Sequence, residues 1–205
     1  MLVLSCKNIS RQNNYEVKTE KNRSKTFTVN GINIFWNISE AITENDTLNI
    51  LELKNAKTNK ILLRDTLYYT DKFLKFEEED YELTNNFRDA NFDGYDDYVT
   101  VFHFQNARAN NFKIYAFNPE LKTYEFLLDG DDLEIDTINK TVSSSWFSQI
   151  SYTIRTYHFK AGKIDFEEEE YHGYIHGSDG LQENVYTKMK NNEVIYIKKD
   201  TTKME

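Results

Sequence analysis

The chain has 205 residues, room for one domain of ordinary size or two small ones. Its 34 acidic residues against 25 basic ones give a formal charge of −9. That disfavours nucleic acid and anionic lipid, which are bound largely through cationic contacts to phosphate, and favours a cationic partner. No apolar run approaches the roughly 20 residues of a membrane-spanning helix, and one cysteine excludes an intramolecular disulfide or a cysteine-rich zinc site.

That cysteine lies at Val3-Leu4-Ser5-Cys6. The segment resembles the end of a bacterial lipoprotein signal, in which an apolar and a small residue precede a cysteine that is lipidated. The apolar stretch before it is shorter than a signal's own core of roughly 7–15 residues. The resemblance implies lipidation at Cys6 and a place in the bacterial cell envelope, periplasmic or outer-membrane, with membrane contact only through the lipid. Residues 7–25 are polar and lack periodicity. Residues 1–25 therefore read as a signal remnant and flexible tether, and 26–205 as a single β-rich domain.

Aromatic residues are abundant, with 14 Tyr and 14 Phe, and proline and glycine are scarce. The first property favours strands. The second leaves the turns to Asn and Asp, which tolerate the left-handed backbone region. In chain order, Phe27–Val29 and Ile32–Trp36 form a first strand pair or one bent strand. A hairpin unit then recurs: Leu48–Leu53 with Ile61–Leu63, Phe112–Phe117 with Thr123–Leu127, Tyr152–Phe159 with Lys163–Phe166, and Asn184–Met189 with Glu193–Ile197. The segment Asp71–Glu82 suits a helix or a strand followed by an acidic loop. The expected fold is all-β, an antiparallel meander of hairpins arranged as a sandwich or in propeller-like fashion.

Between the first and second hairpins lies Asp89-Ala-Asn91-Phe-Asp93-Gly94-Tyr95-Asp-Asp97. Calcium takes six to eight oxygen ligands, and oxygen-bearing side chains at alternate positions 1, 3 and 5 converge when the chain turns sharply at a glycine in position 6. Asp89, Asn91 and Asp93 fill the first three positions. Tyr95 would offer its carbonyl, and Asp97 a further oxygen directly or through water. Position 12 is Thr100 instead of the bidentate Glu of the helix-loop-helix motif, and a strand follows, so this is an EF-hand-like calcium loop on a β scaffold. The competing reading is a metal-free Asn/Asp turn.

Residues 87–99 (FRDANFDGYDDYV) resemble the calcium signature of a family of bacterial periplasmic lipoproteins. The ordered blocks at 115–126, 135–142 and 157–164 resemble it as well. That family includes immunity proteins against peptidoglycan hydrolases and is similar in fold to I-type lysozyme inhibitors. The resemblance spans roughly residues 85–166. It implies a bound Ca²⁺, no catalytic activity, and a cationic hydrolase or toxin as the protein partner. It also implies an inhibitory loop of the form S-G-x-x-Y. The corresponding residues here are Ser148 and Tyr152, with Gln149 in place of the glycine. A hydroxyl and a phenol can hydrogen-bond the paired carboxylates of such an enzyme; the same two residues also read as ordinary strand positions.

Other constellations carry less. His172 and His176 are four apart but flanked by glycines, and His103 and His158 sit in aromatic strands. The acidic runs 77–80 and 167–170 read as solvated faces or as steering charge, and the acids at 129–132 lack ligand spacing. Trp146-Phe147 offers an aromatic anchor beside the proposed loop. The function expected is a calcium-stabilised periplasmic immunity protein that inserts a loop into a lysozyme-like hydrolase. The alternative is a calcium-dependent surface adhesion or glycan-binding β module.

Overall fold

The computed structural model describes residues 16–42, 47–67, 86–103, 110–148, 150–175, 177 and 180–203. Every regular element among them is a β-strand, all strand pairs are antiparallel, and the strands form three open sheets. By its internal contacts the chain divides into two compact units: Met1–Phe27 with Asn33–Asp80, and Thr28–Ile32 with Tyr81–Glu205.

The first sheet holds β1 (Glu16–Arg23), β2 (Phe27–Val29), β3 (Ile32–Ile42), β4 (Thr47–Asn55) and β5 (Ile61–Leu67), in the order β1-β3-β4-β5 with β2 beside β3. Alternation explains its core. Ile34, Trp36 and Ile38 recur every second residue on β3, and the register sets Trp36 against Leu53 and Ile38 against Leu51. The intervening positions hold a buried polar group. Glu52 accepts from Arg64 Nε at 2.9 Å and pairs with Lys54 Nζ at 2.6 Å. Burial alone would raise the pKa of Glu52, but these two cations outweigh it and hold the carboxyl below its ordinary range. Residues 16–23, expected within the tether, form β1 and pair with β3. Their charged, non-alternating sequence is that of an edge strand, where charge discourages further pairing. Cys6, the segment Asp71–Glu82, Gln149 and His176 lie outside the described residues.

The second sheet is β6 (Phe87–Arg88), β7 (Asp97–His103), β8 (Asn110–Asn118) and β9 (Thr123–Asp131) in sequential order. The third is also a sequential meander: β10 (Glu134–Asp136), β11 (Thr141–Phe147), β12 (Ser151–Lys160), β13 (Lys163–Tyr174), β14 (Leu181–Lys190) and β15 (Glu193–Lys203). These two sheets share one core, built from Val99, Phe112, Ile114 and Leu128 on one side and Val142, Tyr157 and Phe159 on the other. The arrangement is sandwich-like, with no closed barrel among the described residues.

The third sheet runs on past this core. No residue of β14 is buried, and every residue of β15 is exposed. Cross-strand pairs hold this single layer, since burial cannot. The Glu169 carboxylate accepts from Arg155, and Glu168 accepts from His158 Nε2 at 2.9 Å and from the Tyr186 hydroxyl at 2.6 Å. That bond to Glu168 pushes the Tyr186 pKa up to about 12. The acidic run 167–170 is thus part of β13, with alternate residues on opposite faces.

Candidate functional site

The proposed calcium loop connects β6 to β7, and its conformation follows from its own side chains. Asp89 accepts from the backbone N–H groups of Asp93 (3.0 Å) and Gly94 (2.9 Å). Asn91 Oδ1 also accepts from Asp93 N, at 3.1 Å, and Asp93 Oδ1 accepts from Tyr95 N at 3.0 Å. Gly94 sits at φ +91°, where a side chain would be strained, at the sharp turn the spacing predicts. Phe92 is held at φ +63° and lays its ring edge-on against Phe159, 5.7 Å between centroids. The loop is also anchored by Asn30, whose amide exchanges two 2.9 Å hydrogen bonds with the backbone of Asp96.

Asp97 plays a different part from Asp89 and Asp93. Its carboxylate is wholly buried. Oδ2 accepts from Ala90 N and Asn91 N, both at 3.0 Å, and Oδ1 accepts from Phe117 N at 2.8 Å. It ties the loop's first turn to β8. Burial pushes its pKa up to about 7 despite three N–H donors that favour the ion, and the charge on Asp93 adds to the rise.

The donor set can be tested against a hard cation on this geometry. Asp89, Asn91 and Asp93 bring side-chain oxygens into one turn, and Asp93 is exposed to solvent. An oxygen that accepts one N–H keeps a further lone pair. With the Tyr95 carbonyl these three are the residues that would hold a hard cation, water completing its shell. Asp97 stands apart from these three: its carboxylate is wholly buried and already accepts three backbone N–H groups in the interior. The sequence spacing could not separate the two roles. Among the described residues no three His, Cys, Asp or Glu side chains converge as a metal site; the loop's own set has two carboxylates, an amide and a carbonyl.

The second candidate lies at one end of the third sheet. Ser148 and Tyr152 both line a cavity of about 240 Å³, together with Phe147, Ile150, His172 and Tyr174. Phe147, Tyr152 and His172 are directly opposite one another on β11, β12 and β13. Their rings stack across the strands, with centroids 6.2 Å and 4.3 Å apart. His172 Nδ1 donates to Asn184 Oδ1 at 2.7 Å, which fixes the ring. The Ser148 hydroxyl is spent locally: it accepts from Ser151 N at 2.9 Å and Ile150 N at 3.2 Å and bonds Ser151 Oγ at 2.7 Å. What projects from the turn is apolar, Phe147 at 61% exposure and Ile150 at 62%, with Tyr174 and Ile175 exposed nearby. Trp146, on the other face, is half-buried with the Arg155 guanidinium 5.4 Å from its ring centroid. Sequence reading had located this turn through Ser148 and Tyr152; Ile150 and Tyr174 escaped it, because their proximity depends on pairing β12 with β13.

Two further features stay local. His158 is a strand residue stacked on Phe166, and the acids at 129–132 end β9, where the Asn111 amide donates to Asp131.

No family model matches this chain, and no curated protein matches it. Among solved structures it is similar to one described as "Structure of a Xanthomonas Type IV Secretion System related protein". The identity is 13% and the TM-score 0.47, covering 90% of this chain and 95% of that one.

Proposed function

We propose that this chain is a non-catalytic binding protein of the bacterial cell envelope, tethered through Cys6, whose apolar hairpin end engages a cationic protein partner of the peptidoglycan-hydrolase class. The observation that carries the reading is the cluster of Phe147, Ile150 and Tyr174, large apolar side chains exposed together around a cavity at one sheet end. Exposed apolar and aromatic clusters of this kind mark interaction sites. The charge of −9 supports a basic partner, through faster encounter. In this reading Phe147 and Ile150 enter the enzyme's cleft, and the tied Ser148 hydroxyl keeps the turn rigid. Rigidity limits the entropy lost on binding. The loop at 89–97 holds a calcium ion through Asp89, Asn91, Asp93 and the Tyr95 carbonyl, which neutralises the loop's carboxylates and braces it on the core.

The test is an inhibition panel of purified lysozyme-type and other peptidoglycan-cleaving enzymes, with the chain added in calcium. Inhibition of at least one basic member is expected; no inhibition and no binding across the panel would remove the hydrolase reading. A second reading is favoured by one observation, the open stack of Phe147, Tyr152 and His172, which suits a sugar ring. Titration with soluble peptidoglycan oligosaccharides separates the two: saturable binding that Phe147→Ser abolishes, with no enzyme inhibited, selects the glycan-binding module.

A further inference from the structure

We infer that the free edge of β15 is a self-association surface, on which a second copy of this chain pairs antiparallel about a two-fold axis through Tyr196. Among the described residues, β15 ends the order of the third sheet and pairs with β14 alone. All of its residues are exposed, and Val194, Ile195, Tyr196 and Ile197 are each more than half exposed. A long edge strand with a run of apolar side chains is a template for another strand. The lysines of this edge lie after the apolar run.

The register with β14 says which residues share a face. Glu193, Tyr196 and Lys198 lie opposite Lys190, Lys188 and Tyr186; Val194 and Ile197 lie opposite Met189 and Thr187. Side chains alternate along β14, so the first three share one face and the other two share the opposite face. Ile195 is the extra residue of a bulge. A two-fold axis that pairs antiparallel edges is normal to the sheet and preserves faces. Each residue must therefore meet one on its own face, equally many rungs from the axis.

Centring on Tyr196 meets this condition with complementary chemistry. Glu193 falls opposite Lys198 of the second copy, Val194 opposite Ile197, and Tyr196 opposite itself, and the symmetry repeats each pair. Opposite charges and apolar pairs directly across a ladder are stabilising. Moving the axis one rung to Ile197 sets Glu193 against Asp200, and moving it to Lys198 sets that lysine against itself; both place like charges together. The bulge falls between Val194 and Tyr196 in each copy, where it adds twist and keeps Ile195 outside the ladder.

The experiment is sedimentation of the full chain over a concentration series, with charge-reversal variants at exposed positions and circular dichroism to verify their fold. The wild type is expected to dimerise reversibly. Glu193→Lys and Lys198→Glu should each raise the dimer dissociation constant at least about tenfold, since each turns two attractive pairs per dimer into repulsive ones. The double variant Glu193→Lys/Lys198→Glu should restore dimerisation to within about threefold of wild type. A wild type that stays monomeric throughout overturns the inference. So does a dimer that is indifferent to the single reversals, or one that the double reversal fails to restore.

Discussion

Two aspartates four residues apart, drawn from one motif, have opposite physical settings. Asp93 is exposed and turned into the loop, whereas Asp97 is buried with three backbone N–H groups on its oxygens. Their substitutions therefore separate ligation from folding. Saturating calcium should stabilise the chelator-treated wild type by about 2–3 kcal/mol at a hundredfold excess over the dissociation constant. Asp93→Ala should lose that response, as measured by calorimetric titration and thermal melting. Asp97→Asn should cost about 1–3 kcal/mol with or without calcium, because an amide nitrogen would face backbone donors. Glu52 gives a pH dependence of defined sign. Its folded pKa lies below the ordinary value of 4.5. The stability it contributes is complete above that value and is lost as pH falls through the lowered folded pKa. Acid titration of Glu52→Gln by circular dichroism should show a flatter profile in this window, with about 1–3 kcal/mol less stability at neutral pH.

The hairpins were legible because their signals are local. Alternating apolar residues on both sides of a polar turn located β4 with β5, β8 with β9, β12 with β13, and β14 with β15. The loop at 89–97 was legible for the same reason, since alternate oxygen donors and one glycine fit in nine residues. β1 was not, because an edge strand gains its order from pairing with β3 and its sequence, EVKTEKNR, carries no apolar alternation of its own. The reach of β13 through the acidic run was not either, because Glu168 and Glu169 are satisfied by His158, Tyr186 and Arg155 from neighbouring strands. The turn between β12 and β13 shows how an element can matter to the loop. Ala161 and Gly162 have φ of +51° and +74°, and a Cβ on Gly162 would come within 2.8 Å of Asp93 Cβ. Gly162→Ala should destabilise by about 1–3 kcal/mol and weaken calcium binding, because both backbone strain and the clash act at the loop. Ala161→Asn should instead raise the melting temperature, since asparagine tolerates the left-handed region that alanine occupies at a cost of about 1–2 kcal/mol. Thermal melts with and without calcium check both.

For the whole molecule, the proposed contact with other proteins rests on charge and architecture. A sheet that outruns its core exposes apolar groups at its hairpin end and along its last strand, on a chain whose net charge is −9. Association with a basic partner should slow several-fold as salt rises from low to physiological ionic strength, which stopped-flow measurement would read. The apolar hairpin contact should chiefly set the dissociation rate. The most direct test of this account compares the hairpin variant Phe147→Ser/Ile150→Ser with Ile138→Ser, an exposed apolar position in the turn between β10 and β11. Each is titrated against a basic peptidoglycan hydrolase that the wild type inhibits. The account predicts at least about a hundredfold loss of affinity for the hairpin variant and unchanged affinity for the control, with both proteins folded. Equal inhibition by both variants would contradict it and move the binding site elsewhere on the chain.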